Sequence, residues 1–570
     1  MTAPETAPPT VTTQVVVVGA GPVGLMLAGE LRRAGVAVVV VERLARPMTE
    51  SRASQLTALT AELLHERGLD DLLDEAVHEP RAHFGGLPVD LTGLDSRYAG
   101  NWKVPQYRTE AVLGARAERL GAVLLRAHEL TGIAEFDDHV VGRVDGPAGR
   151  TGIRARYLVG CDGVGSEVRR LCGLGVAVTD PTRELLRADV AGLDIPDRRF
   201  ERLPDGLAVA ATRAGVTRVM VHVRGQDVPR RTRPPEFAEV ARAWARVTGE
   251  DIRSGQPLWL DSFDNASGLA TRFRRGRVLL AGDAAHWHLP IGGQALNVGL
   301  QDAVNLGWKL AGSVRGWAPP GLLDSYHDER HPAAAAVLDS VVAQETLLLG
   351  GSEVEPLRAV LAELLQLDRA GEQVARVASG LATCYRGGAH PLVGRRIPTA
   401  EFWTGSGVVT AADLTRGGPG AVILRIVGPD GLDVDGLDVD SHDANGEDAN
   451  GQDANGQDAN GADPDGADPT GAADAAARAG RAPVRTVRLE PVRPGALDNA
   501  RLILMRPDGY VAWAGTDRVA FASAFRQWFG TPVGAPYAGA GAGAGAGPGG
   551  VGGPGPAAFN RGGTAVERTR

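Results

Sequence analysis

Four consecutive valines, Val15–Val18, run directly into Gly19-Ala20-Gly21-Pro22-Val23-Gly24, and a second apolar run over 37–41 follows one helix-length later. So short an apolar run, ended by a glycine turn and β-branched throughout, reads as a buried strand. The pattern predicts a strand over Gln14–Val18, a glycine-rich turn, a helix over about 23–34 and a strand over 37–41, which is one βαβ unit. In such a turn Gly19 permits the sharp reversal, Gly21 lets a pyrophosphate approach the backbone, and Gly24 lets the helix pack on the strand. The helix start, with Pro22 and Val23, turns amide donors and a positive dipole end toward the phosphates. Glu42 closes the second strand, where a carboxylate reaches an adenosine ribose, and Arg43 follows it. The fingerprint alone suits FAD and NAD equally.

A second constellation separates them. Gly282-Asp283 ends the apolar run Val278–Ala281, and the chain continues AAHWHLPIGGQALNVGLQDAVNLGWKL. A carboxylate ending a strand beside the first turn suits the ribityl chain of a flavin. Gly292 and Gly293 bring amides close to the flavin pyrimidine edge, and a helix predicted over about 299–312 aims its N-terminus there.

Composition narrows the class. The chain of 570 residues is too long for one core, so two or three domains are expected. Its net charge of -9 is concentrated: residues 428–470 carry 12 Asp and 1 Glu, and without them the body is near +4, with no basic stripe for nucleic acid. Within that insertion DANGE, DANGQ, DANGQ and DANGA recur at five-residue spacing. Its lack of apolar side chains predicts disorder over 428–481, and no spacing matches a calcium loop. Cys161, Cys172 and Cys384 form no CxxC and no metal pattern, so no metal is expected and a reduced, cytoplasmic setting is. The first residues lack a signal-peptide pattern, no apolar run approaches about 18 residues, and no membrane association is expected.

Along the chain, helices are predicted over about 57–68 and 107–127, strands at 216–223 and 257–263 with a helix at about 235–247, and helices onward to about 385. Strands at 421–427, 485–490 and 500–505 follow, with a Pro507-Asp508-Gly509 turn. The expected fold is α/β with an α+β insertion.

Three segments then resemble the fingerprints of one family. GAGPVGLMLAGELRRAGVAVVVVE, CDGVGSEVRR and GDAAHWHLPIGGQALNVGLQDAVNLGWKL are similar to those of the group A flavin-dependent aromatic hydroxylases, the para-hydroxybenzoate hydroxylase family. HFGGLPVDL, VPQYRTE, LLDSYHDERHP and RPDGYVAWAG look like its actinomycete aromatic polyketide hydroxylases, which act on angucyclines and spore pigments. The resemblance implies a Rossmann-type, GR2-like FAD-binding domain over 14–79, 107–180 and 271–390, and a substrate domain with an antiparallel sheet over 80–106 and 181–270. It further implies a thioredoxin-like domain over 391–427 and 482–536, before a flexible tail at 537–570. Lacking CxxC, the last domain is expected to be structural or to serve contacts of a homodimer.

Carried over, Gly19, Gly21, Gly24 and Glu42 hold the ADP half of FAD, while Arg52 and Gln106 contact the cofactor. Asp162 and Gly163 serve FAD and NAD(P)H, or form only a structural turn. Asp283 binds the ribityl chain, and Pro290, Gly292, Gly293 and Asn297 line the isoalloxazine. Ala295 stands where the family usually has Gly, and Leu59 where it often has Arg, which removes one family contact. With no second glycine fingerprint, NADPH or NADH binds transiently. The implied chemistry is O2 activation as a flavin C4a-hydroperoxide and OH transfer to an electron-rich ring carbon, which needs water exclusion more than side-chain catalysis. No catalytic base is named. His83, Phe84, Trp102, Trp287 and His288 lie near the motifs and are candidates for an aromatic pocket, each with packing as its alternative. Rival readings are an antibiotic-inactivating, rifampicin-type monooxygenase, a Baeyer–Villiger oxygenase and an accessory flavoprotein.

Overall fold

The computed structural model describes residues 10–49, 53–228, 231, 233–404, 407–416, 418–426, 482–492, 497 and 500–530. The acidic insertion expected over 428–481 and the tail expected over 537–570 lie outside the described residues. The fold is mixed α/β.

The valine run becomes the strand Val15–Val18, flanked in register by Val38–Glu42 on one side and Tyr157–Gly160 on the other, all parallel. Val278–Leu280 and Val123–Arg126 extend this sheet, and a short antiparallel strand, Arg274–Arg275, borders it. Helix α1 (Pro22–Arg33) packs along helix α2 (Gln294–Arg315). Nearly every side chain of α2 is buried, so it is a core helix rather than a surface one. Helix α3 (Ser325–Leu349) follows.

A four-stranded sheet, in the order Thr10–Thr12, Gly149–Ala155, Val140–Gly146, Glu129–Glu135, covers one flank. The helix expected over 107–127 ends at Arg119, and its latter part is instead the parallel-sheet strand Val123–Arg126. A five-stranded antiparallel sheet follows (Glu184–Ala191, Arg198–Leu203, Gly206–Arg213, Val216–Val223, Gln256–Asp264), with the helix Phe237–Thr248 on one face. Strand alternation turns Leu186, Ala188 and Val190 to that helix and Leu185 to the opposite face.

The last sheet has the order Gly407–Thr410, Glu401–Thr404, Val484–Pro491, Ala421–Ile426, Leu502–Met505, Val511–Gly515, with the helix Arg518–Phe529 against it. Two aromatic residues near the end of that helix, Trp528 and Phe529, pack with Trp308 of α2 and with Trp317.

Helix α3 is long and apolar enough to cross a membrane by length and composition alone. Yet Tyr326, Glu329, Arg330 and Gln344 along it are buried against the rest of the chain, as in a core helix.

Candidate active site

The three glycine-bearing segments meet at one edge of the parallel sheet. Val18, Gly160 and Leu280 end adjacent strands, and the turns after them share backbone bonds: Cys161 donates to the Val18 carbonyl at 2.7 Å and Ala281 to that of Gly160 at 2.9 Å. This is the carboxyl edge, where open α/β sheets bind ligands.

The chain itself requires two of the first three glycines. Gly19 has φ 103°, and a Cβ there would stand 2.3 Å from the Cys161 carbonyl oxygen; one on Gly24 would stand 2.0 Å from that of Gly19. Gly21 differs, because a Cβ there meets nothing within 4 Å. Its missing side chain therefore leaves room for something outside the chain, directly before the free amides of α1. Glu42 lies beside this space and accepts from the Ala20 amide at 2.7 Å and the Leu44 amide at 2.8 Å. Arg43 is exposed. These residues fit the phosphates and ribose of a dinucleotide.

Val23 joins the first motif to the last: added Cβ atoms on Gly282 and Gly299 would stand 2.9 and 2.6 Å from its side chain. Asp283 is half-buried in the turn after Ala281. Gly292 and Gly293 are both left-handed (φ 69° and 68°) and lead straight into α2, which starts at Gln294. The helix expected from about 299 therefore begins a full turn earlier, with its first amides at the loop.

The carbonyls of this loop are tied back. Gln55 Nε2 donates to the Gly292 carbonyl at 3.0 Å, and Lys103 Nζ donates to Gln55 Oε1 at 2.7 Å. Asn297 is fully buried; its amide donates to Gly293 and Gln55 carbonyls and accepts from the Thr57 amide. Asn297 thus braces the loop from behind rather than lining its surface. Pro290 is exposed at the loop entry.

Asp162 is spent on its own turn, accepting from Ser166 Oγ at 2.5 Å and from the Val168 amide at 3.0 Å, while Gly163 is left-handed with open space around it. Burial raises the Asp162 carboxyl above its usual value, against these hydrogen bonds. Gln106 exchanges hydrogen bonds with the backbone of Ala53. Arg52 lies outside the described residues.

Beside the loop an apolar cluster lies between the five-stranded sheet and α3. Leu185, Leu207, Val209, Phe200 and Phe263 come from the sheet, Val337, Val341, Leu348 and Leu349 from α3, and Leu289 and Ile291 from the loop segment. Arginines fix the end of α3 to that sheet and to the hairpin at His83. Arg202 donates to the Leu347 and Gly351 carbonyls at 3.0 Å, Arg224 to Gly350 at 3.2 Å, and Arg358 to Leu347 and Gly85 at 2.7 and 2.6 Å. They satisfy the orphan carbonyls of a helix end.

His83 joins this cluster through Phe200, ring centroids 4.2 Å apart. Its Nδ1 faces the Gly86 amide at 3.3 Å, and burial, with Arg199 and Lys103 nearby, draws its pKa down to about 4. His288 directly precedes Leu289 of this cluster in the chain, with its Nδ1 at the Leu289 carbonyl. Three of the expected pocket aromatics pack elsewhere. Phe84 packs with Ala58, Leu91 and Ala375. Trp102 packs on His78 and Tyr98 and donates to the Tyr98 carbonyl. Trp287 lies under the Arg169 guanidinium and against Gly268. Nearness to a motif in sequence does not fix which face of a strand a ring takes.

Buried charges carry the frame. Asp302, fully buried, accepts from Gly282 N, His286 Nε2 and Arg330 Nε at 3.0, 2.6 and 2.7 Å. Burial pushes its carboxyl up, but His286 and Arg330 outweigh that and hold it below the usual range. The acid was readable in QDAVNLGWKL, seven residues before Lys309, which is buried as well; nothing in the sequence names its partners.

The sequence profile of the FAD binding domain family matches residues 12–341, and that of the aromatic-ring hydroxylase C-terminal domain matches 457–532. The chain belongs to the FAD-dependent aromatic hydroxylases. It is 37% identical to the 12-dehydrotetracycline 5-monooxygenase/anhydrotetracycline 6-monooxygenase of Streptomyces rimosus, over 91% of this chain and 99% of that protein. It is also similar to CabE, an aromatic hydroxylase from angucycline biosynthesis, with 40% identity, a TM-score of 0.78 and coverage of 91% and 99%. A third relative, the dialkyldecalin synthase of Streptomyces rugosporus, is 35% identical over 90% of this chain and 98% of its own. The protein is an FAD-dependent monooxygenase by family.

Proposed function

We propose that this flavoprotein hydroxylates a polycyclic aromatic polyketide, seated in the apolar cluster between the five-stranded sheet and α3, with NADPH or NADH as reductant and O2 as oxidant. The position of that cluster carries the reading. Leu289 and Ile291 belong both to it and to the segment that leads into Gly292-Gly293. A ring resting there lies at the loop whose amides suit the flavin.

Bound FAD would supply hydride acceptance from the nicotinamide and O2 activation for oxygen transfer to the ring. The rest is done by the chain. Gly21 and the α1 start hold the pyrophosphate, Glu42 the ribose, Asp283 the ribityl chain, and Gly292, Gly293 and the α2 start the pyrimidine edge, where the helix dipole favours negative charge. Gln106 and Arg52 complete the cofactor contacts, and Gly163 opens onto the NAD(P)H approach. Lys103 and Gln55 fix the loop. The aliphatic wall excludes water. His83 stays neutral in this setting, its Nδ1 accepting from Gly86, so Nε2 carries the ring proton.

We assign the parallel sheet and α1–α3 to a GR2-like FAD domain, the five-stranded sheet to the substrate domain, and the last sheet to a thioredoxin-like, structural domain. The cytoplasm, which supplies NADPH, is its place. The likeness to dialkyldecalin synthase supports a second reading, in which the scaffold closes rings without oxygen transfer.

NADPH oxidation by the FAD-loaded protein, offered anhydrotetracycline and angular tetracyclic phenols, separates the two. Accelerated oxidation with a product one oxygen heavier supports hydroxylation. Unchanged oxidation and no oxygenated product from any ring would favour the second reading.

A further inference from the structure

Two polar groups at the apolar cluster have no partner. Among the described residues, the buried side-chain acceptors left unpaired are Asn101 Oδ1, the Thr109 hydroxyl, His288 Nε2 and Gln344 Oε1. The last two belong to the segments that form this wall, Gln344 on α3 and His288 directly before Leu289. Gln344 is 3% exposed and lies on α3 between Val341 and Leu348, at the spacing that puts all three on one helix face. Its Oε1 stands 3.2 Å from where a Cβ of Gly292 would be, so it borders the glycine loop. Its Nε2 has Ser340 Oγ at 3.4 Å.

His288 is 9% exposed, and its Nδ1 lies 2.9 Å from the Leu289 carbonyl oxygen. A carbonyl only accepts, so Nδ1 carries the ring proton and Nε2 is a bare lone pair. Burial and the neighbouring His286 hold the ring pKa down at about 4, against the help of the Leu289 carbonyl, so the lone pair persists at neutral pH. A desolvated acceptor without a donor costs about 1–3 kcal/mol, and a protein keeps such a group where a ligand supplies the donor.

We propose that Gln344 Oε1 and His288 Nε2 are the acceptors that recognise hydroxyl groups of the aromatic substrate, selecting a polyhydroxylated ring over a bare one. The proposal rests on the placement of the polycycle in this cluster. Gln344 Oε1 borders the loop on which hydroxylation depends and His288 lies four residues before Gly292 in the same segment, so together they would fix which edge of the ring faces it. An N–H of the flavin is the other donor that could meet them.

The test uses full-length, FAD-loaded protein with 2,6-dihydroxyanthraquinone and anthraquinone, read by flavin fluorescence. Wild type is expected to bind the dihydroxy ring at least about tenfold tighter, the penalty for leaving buried acceptors unpaired. Gln344→Leu and His288→Leu should each bring that ratio toward one by weakening the dihydroxy ring alone, with anthraquinone held as well or better and FAD affinity unchanged. His288→Gln, which keeps an acceptor, should restore part of the ratio. Equal weakening of both rings would mean packing and overturn the proposal. A loss of FAD affinity with the ratio intact would place the donor on the flavin and overturn it too. Wild type that binds the rings equally overturns the proposal alone; wild type that binds neither overturns the placement of the polycycle with it.

Discussion

Replacing Arg506 with Met tests how the last sheet is joined to the flavin-bearing helices. Arg506 is 2% exposed, donates to both Glu329 oxygens at 2.6 and 2.9 Å, and donates to Asp508 at 3.0 Å through Nε. Its guanidinium lies 4.5 Å from the Trp528 ring and 5.3 Å from that of Trp308. Glu329 also accepts from Lys309 Nζ and Asn305 Nδ2, both at 2.7 Å. Burial draws the Lys309 ammonium down to about 8 despite Glu329, while Arg506 and Lys309 hold Glu329 well below the carboxylate range against its own burial. Met keeps much of the volume but leaves two buried carboxylates to one ammonium. Removing one partner of a buried network costs about 3–5 kcal/mol. Glu329→Gln leaves two cations to Asp508 and should cost a similar amount. The double variant restores one cation to one anion, so its loss should fall short of the sum by about 1–3 kcal/mol. Urea unfolding of FAD-loaded protein, followed by tryptophan fluorescence, measures all three. A loss under about 1 kcal/mol for Arg506→Met, or strict additivity in the double variant, would refute a coupled buried network.

The remaining predictions concern the cofactor and the histidines. Asp283→Ala should weaken FAD retention by about 1.5–3 kcal/mol, the worth of a hydrogen bond to a charged group, and a variant purified with full, unreleased flavin would contradict the assignment. Gly24→Ala would put a Cβ 2.0 Å from the Gly19 carbonyl oxygen and should yield flavin-free protein; normal flavin content would show that the turn yields. His83 and His288 have pKa values near 4 in the folded chain against an ordinary 6.5, so below 6.5 the unfolded chain takes up protons that the folded one refuses. Their contribution is present above 6.5 and lost as pH falls to about 4, roughly 3 kcal/mol per ring, and His83→Gln should flatten that slope; an unchanged slope would refute it.

The sequence revealed most where geometry is local. The turn at Gly19–Gly24 and the pair Gly292-Gly293 are set by a few neighbouring residues, so the cofactor edge was legible before any packing was known. The start of α2 was misplaced because two left-handed glycines read as loop although they cap the helix directly. The four-stranded sheet went unread: strands such as GRTGIRA and ELTGIAE are rich in polar residues and glycine, and their pairing is fixed by partners elsewhere. Asp302, Lys309, Glu329 and Arg506 were missed for a related reason. A charge in sequence reads as surface, and what buries Glu329 is an arginine 177 residues away. The pocket aromatics show the same limit, since Trp102 and Trp287 flank the right motifs but face other cores.

The most direct measurement of the central claim is the origin of the new oxygen. FAD-loaded protein turning over a tetracyclic phenol with NADPH under 18O2 should give a product with one 18O atom on the ring, and unlabelled product in 18O-labelled water under ordinary O2. Label arriving from water instead, or oxygenated product formed without O2, would contradict flavin-dependent monooxygenation.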